Sequence, residues 1–63
     1  MVTSEHIGER VTDGERVGIL KAIDPEWEDP GTPPPRKEIA RAWVRPEKGG
    51  IEWMISPANL NPV

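Results

Sequence analysis

The chain has no cysteine, no tyrosine and no phenylalanine, and its only histidine is His6. Without cysteine it forms no disulfide, and one imidazole does not make a structural zinc site, so two routes by which small scaffolds gain stability are closed. Sixty-three residues allow one domain, and a chain of that size buries only about 60% of the surface its unfolded form exposes. Stability therefore falls to three tryptophans and a few aliphatic residues, or to a partner chain. No run approaches the roughly 18 apolar residues of a membrane span, and no membrane partner is expected. Met1 to Glu9 has neither the basic nor the apolar region of a signal peptide. Absence of cysteine suits a reducing compartment, and together these points set the expectation of a cytoplasmic protein.

Nor is there an excess of positive charge. Eight basic against eleven acidic side chains leave a net charge of −3, which disfavours general nucleic-acid binding, because neutralising phosphates needs a positive surface. The charge is nevertheless uneven: Glu26, Glu28 and Asp29 precede a run of prolines, and Arg36, Lys37, Arg41 and Arg45 follow it. Catalytic sets are missing too. One histidine and no cysteine exclude the usual nucleophile-base pairs, no glycine loop is built to cradle phosphate, and Gly49-Gly50 reads as a turn. Asp24, Glu26, Glu28 and Asp29 lack the spacing of a calcium loop and read as solvated charge or as partners of Arg36 and Lys37. His6, alone in a polar stretch, reads as solvated. No catalytic residue, metal or cofactor is expected.

What the chain does have is alternation. Met1 to Ile7 is polar and aperiodic, which predicts a flexible tail over 1–7 and a domain over 8–63. Val11 lies between Arg10 and Thr12, Asp13-Gly14-Glu15 marks a turn, and Val17 to Ile23 is a β-rich run. A turn through Glu15 sets Val11 opposite Val17, in preference to a tighter turn that sets it opposite Arg16. Ile19, Leu20, Ala22 and Ile23 cannot share one face of a regular strand, so a bulge or bend is expected after Gly18. Asp24 to Lys37 (DPEWEDPGTPPPRK) reads as one long loop, since its prolines suit neither helix nor central strand. Such loops are often functional; the alternative is a stiff connector whose Trp27 folds back over an open barrel end.

Ala40, Ala42 and Val44 alternate with Ile39, Arg41, Trp43 and Arg45, and after the turn at Pro46 to Gly50, Ile51, Trp53 and Ile55 alternate with Glu52, Met54 and Ser56. The loop length sets Val44 against Trp53 and Ala42 against Ile55 on the inside, with Trp43 against Met54 and Arg45 against Glu52 outside. Pro46 is the discordant residue, because it has no N–H to donate beside the loop. Ser56-Pro57 looks like a capped start of one short 3₁₀ turn, and Asn61-Pro62-Val63 like a last short strand.

Strand, turn, bent strand, long loop, hairpin, single helical turn and terminal strand is the element order of SH3-like barrels. Gly8-Glu9-Arg10-Val11 with Arg16-Val17-Gly18-Ile19-Leu20 resembles the opening of KOW-type barrels, and Trp53 through Pro57, Leu60, Pro62 and Val63 resembles their close. Gly8 to Val63 is also similar to a group of small actinobacterial proteins with a Val-Arg-Pro hairpin, a Glu-Trp pair and a Pro-x-x-Leu ending, here Glu52-Trp53 and Pro57-Ala58-Asn59-Leu60. The resemblance implies an all-β, five-stranded SH3-like barrel with a long proline-rich loop and a short 3₁₀ turn before the last strand. It implies no function. Peptide-binding SH3 domains resemble one another in a tyrosine-lined groove, which this chain lacks, and KOW barrels are usually basic.

The residues singled out for partner binding are Trp27, Arg41, Trp43, Arg45 and Met54. Alternation puts Arg41, Trp43 and Arg45 outward on one strand, where an aromatic between two guanidinium groups offers a stacking platform with planar, bidentate contacts. The competing reading is cross-strand packing of Trp43 on Met54 and a screened Arg45–Glu52 pair. Pro30-Gly31-Thr32-Pro33 is a bare PxxP and reads as a rigid loop. The expected function is protein binding, to another protein or as a homodimer, with nucleic-acid contact through Arg41, Trp43, Arg45, Arg36 and Lys37 as the alternative.

Overall fold

Two-residue alternation becomes five strands of one antiparallel sheet, with no α-helix. The computed structural model covers Met1–Val63, with β1 at Arg10–Thr12, β2 at Val17–Trp27, β3 at Ile39–Pro46, β4 at Trp53–Ile55 and β5 at Asn61–Pro62. The strand order is β4-β3-β2-β1-β5. The sheet stays open between β4 and β5, which a single 3₁₀ turn over Pro57–Asn59 connects. Ser56 is its N-cap residue and Pro57 begins it, as the sequence pattern predicts, although the Ser56 hydroxyl makes no capping bond.

All the core residues lie on one side of this sheet. Val2, Val11, Leu20, Ala42, Val44 and Leu60 are buried, and Ile23, Trp53 and Ile55 pack against them. The hairpin of β3 and β4 has the expected register, Ala42 against Ile55, Trp43 against Met54 and Val44 against Trp53. Small inward residues on β3 thus face large ones on β4. The bend expected after Gly18 is a bulge at Lys21: Leu20 faces Val44, yet Ala22 faces Trp43. One extra residue reverses the parity of the strand, so Leu20 and Ile23 both point inward while Ala22 joins the outer face.

Several sequence-based expectations are corrected. Val11 faces Gly18, and Thr12 faces Val17, because the turn spans Asp13 to Arg16 and is organised by the Asp13 carboxylate, which accepts from the N–H groups of Glu15 at 2.9 Å and Arg16 at 2.7 Å. Gly18 is the residue that this register needs. A Cβ there would collide with the Arg45 carbonyl oxygen and lie 2.7 Å from Val44 Cγ1, so only glycine lets β2 and β3 approach this closely.

The long loop is shorter at its start than expected, because β2 runs on through Asp24-Pro25-Glu26 to Trp27, which pairs with Ile39. Proline is tolerated here because β1 ends its pairing at Ile19, which leaves this stretch with β3 as its one neighbour. Pro25 falls where the β2–β3 register shifts between Asp24 and Trp27, so no ladder bond needs its missing N–H. Trp27 therefore lies in a strand and does not fold back over a barrel end. Residues 28–38 make the connection, where Asp29 accepts from Gly31 N–H at 2.9 Å and from the Thr32 hydroxyl at 3.2 Å. Ile51, expected to face inward, is 92% exposed, since β4 begins only at Trp53 and alternation does not reach back into the turn. Pro46 resolves without strain: its carbonyl accepts from Gly49 N–H, and Glu47 supplies the N–H to Val17 O.

The first seven residues, expected to be a flexible tail, are folded. Val2 is 3% exposed and belongs to the core; its N–H donates to Pro57 O at 3.2 Å, and the N-terminal ammonium donates to Asn61 Oδ1 at 2.8 Å. Ser4–His6 forms a 3₁₀ turn in which Thr3 Oγ1 accepts from Glu5 N–H and His6 Nδ1 accepts from Thr3 N–H at 3.0 Å. His6 is thus a capping residue. Gly8, at φ +92°, turns the chain into β1 in a conformation that side chains other than glycine resist.

Two substitutions test this packing. Gly18→Ala is expected to lower unfolding free energy by about 1–3 kcal/mol through overpacking, a large fraction of what a domain this small has; urea titration measures it. Val2→Asp places an unpaired carboxylate in the core and is expected to move the urea midpoint down further than Thr3→Ala, whereas a free tail would leave the midpoint unchanged.

Candidate functional site

Opposite the core, the sheet's outer face carries a row that crosses three strands: Ala22 of β2, Trp43 of β3 and Met54 of β4. Their chain neighbours Ile23, Ala42, Val44, Trp53 and Ile55 point inward, so alternation, restarted in β2 by the bulge at Lys21, fixes these three outward. Val2, Pro57 and Leu60, the buried residues outside β1–β4, belong to the other side. Trp43 is half-buried by its own neighbours, and Met54 is 43% exposed. The sequence-predicted Trp43–Met54 pair is therefore present, and nothing on the chain covers it fully.

On the ribbon side of this row stand Arg41 and Trp27. The Arg41 guanidinium lies over the Trp27 ring, 5.9 Å from its centroid, in the range of a cation–π contact. Asp24 faces Arg41 across the strands but makes no ion pair with it; its carboxylate accepts from Glu26 N–H at 2.9 Å. Arg41 Nε is left buried without a hydrogen-bond partner. Trp27, Arg41, Trp43 and Met54 therefore form one continuous aromatic and cationic surface.

Arg45 lies on the other side of the row, facing Ile19. The expected Arg45–Glu52 pair does not form, since Glu52 lies ahead of β4; the ion pairs are Arg10–Glu47 and Arg16–Asp13. Arg45 instead lines an open cleft of about 450 Å³ with Lys21 and Lys48 above Ile19. The carboxylate in that cleft, Glu47, is held by Arg10 at 3.1 Å. Lys21 and Lys48 were not legible as site residues: Lys21 joins the cleft as the bulge residue, and Lys48 through the β3–β4 turn. Arg36 and Lys37 do not join the face. Both lie in the connection over residues 28–38, and Arg36 Nε donates to Thr32 O at 2.7 Å.

A second open cleft, about 410 Å³, lies where the β1–β2 and β3–β4 turns meet over Trp53. The Arg16 guanidinium stacks on the Trp53 ring at 4.1 Å from the centroid and is held from behind by Asp13, at 3.1 Å from Nη2. Trp53 Nε1 is buried with no partner. The hydrogen bond from Arg16 N–H, then that from Glu15 N–H and the Arg16 side chain, hold the Asp13 carboxyl below its ordinary value of 3.8.

No protein-family model, curated protein or solved structure matches the chain, so its functional reading rests on this geometry.

Because the folded-state pKa of Asp13 lies below the unfolded one, its contribution to stability is complete above the unfolded pKa and is lost as pH falls through the folded value. Asp13→Asn is expected to flatten the acid limb of a thermal-unfolding series below pH 4, and an unchanged limb would show that the carboxylate does not hold the turn.

Proposed function

We propose that the chain is an SH3-like barrel that works as a non-catalytic, cytoplasmic protein-binding module, and that its contact surface is the outer face of β2, β3 and β4. The observation that carries this reading is the Ala22–Trp43–Met54 row, an apolar strip on the solvent side of a sheet whose core lies on the other side. The strand order β4-β3-β2-β1-β5 and the 3₁₀ turn before β5 agree with the SH3-like resemblance, as do the bulge at Lys21 and the Pro57-to-Leu60 segment.

Binding energy at protein interfaces concentrates in a few tryptophans and arginines that lose water on contact. Trp43 supplies the apolar centre, and Met54 an adaptable thioether beside it. Arg45 supplies one charged flank and the Arg41–Trp27 stack the other. Since an uncovered apolar strip of this kind marks interaction surfaces, its use by a protein partner is the simplest account of a tryptophan held there.

One observation favours a second reading. Lys21, Arg45 and Lys48 share one cleft whose carboxylate, Glu47, is paired with Arg10, and Arg45 stands two residues along β3 from Trp43, an arrangement that also suits the phosphates and stacked bases of a single strand.

Capture from a lysate of the source cells, with wild type and Trp43→Ala as baits, tests the face. The variant is expected to lose the partner by roughly 30-fold or more in affinity, and equal retention by both baits would exclude this surface. A salt titration separates the two readings, because phosphate binding weakens steeply as salt rises, whereas apolar docking hardly changes.

A further inference from the structure

The sheet has two edges, and they are protected unequally. β5 is two residues long and contains Pro62, which cannot donate to an added strand. β4 reads Trp53-Met54-Ile55, with no proline, no lysine and no bulge, and it stands at the end of the strand order with β3 as its one neighbour. Met54 on this strand, 43% exposed, and Ile51, two residues before it begins and 92% exposed, are two of the five exposed large apolar side chains of the chain. Natural sheets blunt exposed edges of this composition because the free N–H and C=O groups template further pairing.

We infer that β4 pairs antiparallel with β4 of a second copy about a two-fold axis at Met54, joining two sheets into one. This inference rests on the reading of the chain as a protein-binding module and names the partner.

The sequence around Met54 is complementary to its own reversal. With Met54 facing Met54 of the second copy, Trp53 of each chain faces Ile55 of the other, and Glu52 faces Ser56. Apolar residues meet apolar ones on both faces of the junction. No like charges are opposed, the usual obstacle to self-pairing. Trp53 and Ile55 are only half-buried in the single chain, so each core gains cover at its open margin. On the outer face the Ala22–Trp43–Met54 row continues directly into the same row of the second copy, doubling the apolar strip. A twofold arrangement closes on itself and limits the assembly to two chains.

An extended acidic strand would find its cationic partners Arg45, Lys21 and Lys48 in the cleft on the β2 side of β3, away from this edge, and it would have to bring its own apolar pair for Trp53 and Ile55. A second copy brings that pair already. A standard contact of about 800 Å² per partner is under a fifth of the 4407 Å² surface. The pairing segment is short, so a weak, concentration-dependent dimer is the form expected.

Because the chain has no cysteine, one introduced thiol gives a clean probe. Cα atoms of facing residues in an antiparallel pair are about 4.5–5.5 Å apart, within disulfide reach. Met54→Cys under mild oxidation is expected to form a covalent dimer many times faster than Thr32→Cys, which lies in the distant 28–38 connection. In sedimentation velocity, wild type is expected to move from 7.0 kDa toward twice that mass as concentration rises. Met54→Lys, which opposes two ammonium groups on the axis, is expected to stay a monomer with an unchanged circular-dichroism spectrum. Equal cross-linking of the two cysteine variants, a wild type fixed at 7.0 kDa up to millimolar concentration, or a folded Met54→Lys that still dimerises would each overturn the pairing. A monomeric wild type that still captures a foreign partner through Trp43 would sink this inference and leave the protein-binding reading intact. Dimers that form while Trp43→Ala captures every partner of the wild type would do the reverse.

Discussion

The architecture depends on one change of parity in β2. Without the bulge at Lys21, Leu20 and Ile23 would point to opposite faces, and either the core or the outer row would lose its pattern. With it, the first half of β2 serves the core through Gly18 and Leu20, the second half begins again at Ile23, and Ala22 is released to lie beside Trp43. The bulge also sharpens the twist of the strand, which is how a single sheet curls enough to enclose Val11, Leu20 and Leu60. Core and contact face are therefore two products of the same extra residue. Lys21 itself, displaced from the ladder, is delivered to the basic cleft with Arg45 and Lys48.

What was legible in the sequence follows from the reach of alternation. The β3–β4 register could be read from Ala42–Ile55 to Val44–Trp53, because small inward residues on one strand and large ones on the other admit one pairing, but not beyond it, where Arg45–Glu52 and an inward Ile51 were expected and the strand had already given way to the turn. The bulge was legible as a conflict, four apolar residues that no flat strand could place on one side. The β1–β2 register was not, because it is set by the Asp13 carboxylate gathering the N–H groups of Glu15 and Arg16 and by the missing side chain of Gly18. Neither is an apolar signal. Val2 escaped for a related reason: one valine among polar residues has no period, and its burial depends on meeting Pro57 and Leu60 from the far end of the chain. The strand through Pro25 was not legible, because prolines that exclude a central strand do not exclude an edge with an interrupted ladder.

Of the candidate surface, Arg41, Trp43, Arg45 and Met54 could be placed outward from rhythm alone, and Trp27 joined them only because β2 runs further than its prolines imply. The cations Lys21 and Lys48 depend on a bulge and a turn, features that move a side chain without leaving a pattern in the letters. The Arg16–Trp53 stack joins two turns that lie far apart in the chain, and tertiary contacts of that kind have no local sequence mark.

The two ends of the molecule differ in stiffness. At one end, Arg16 lies on Trp53, Arg10 grips Glu47, and the Glu47 N–H reaches Val17 O, so that the two turns are tied to each other. At the other, the β2–β3 ribbon beyond Ile23 is two strands wide, joined by residues 28–38 whose bonds are local. A ligand seated near the tied turns meets a surface already in its final shape and forfeits little motion. One that engages Trp27 meets a ribbon with a single cross-strand partner and loop bonds that are only local, so more of the ordering falls on the binding event itself.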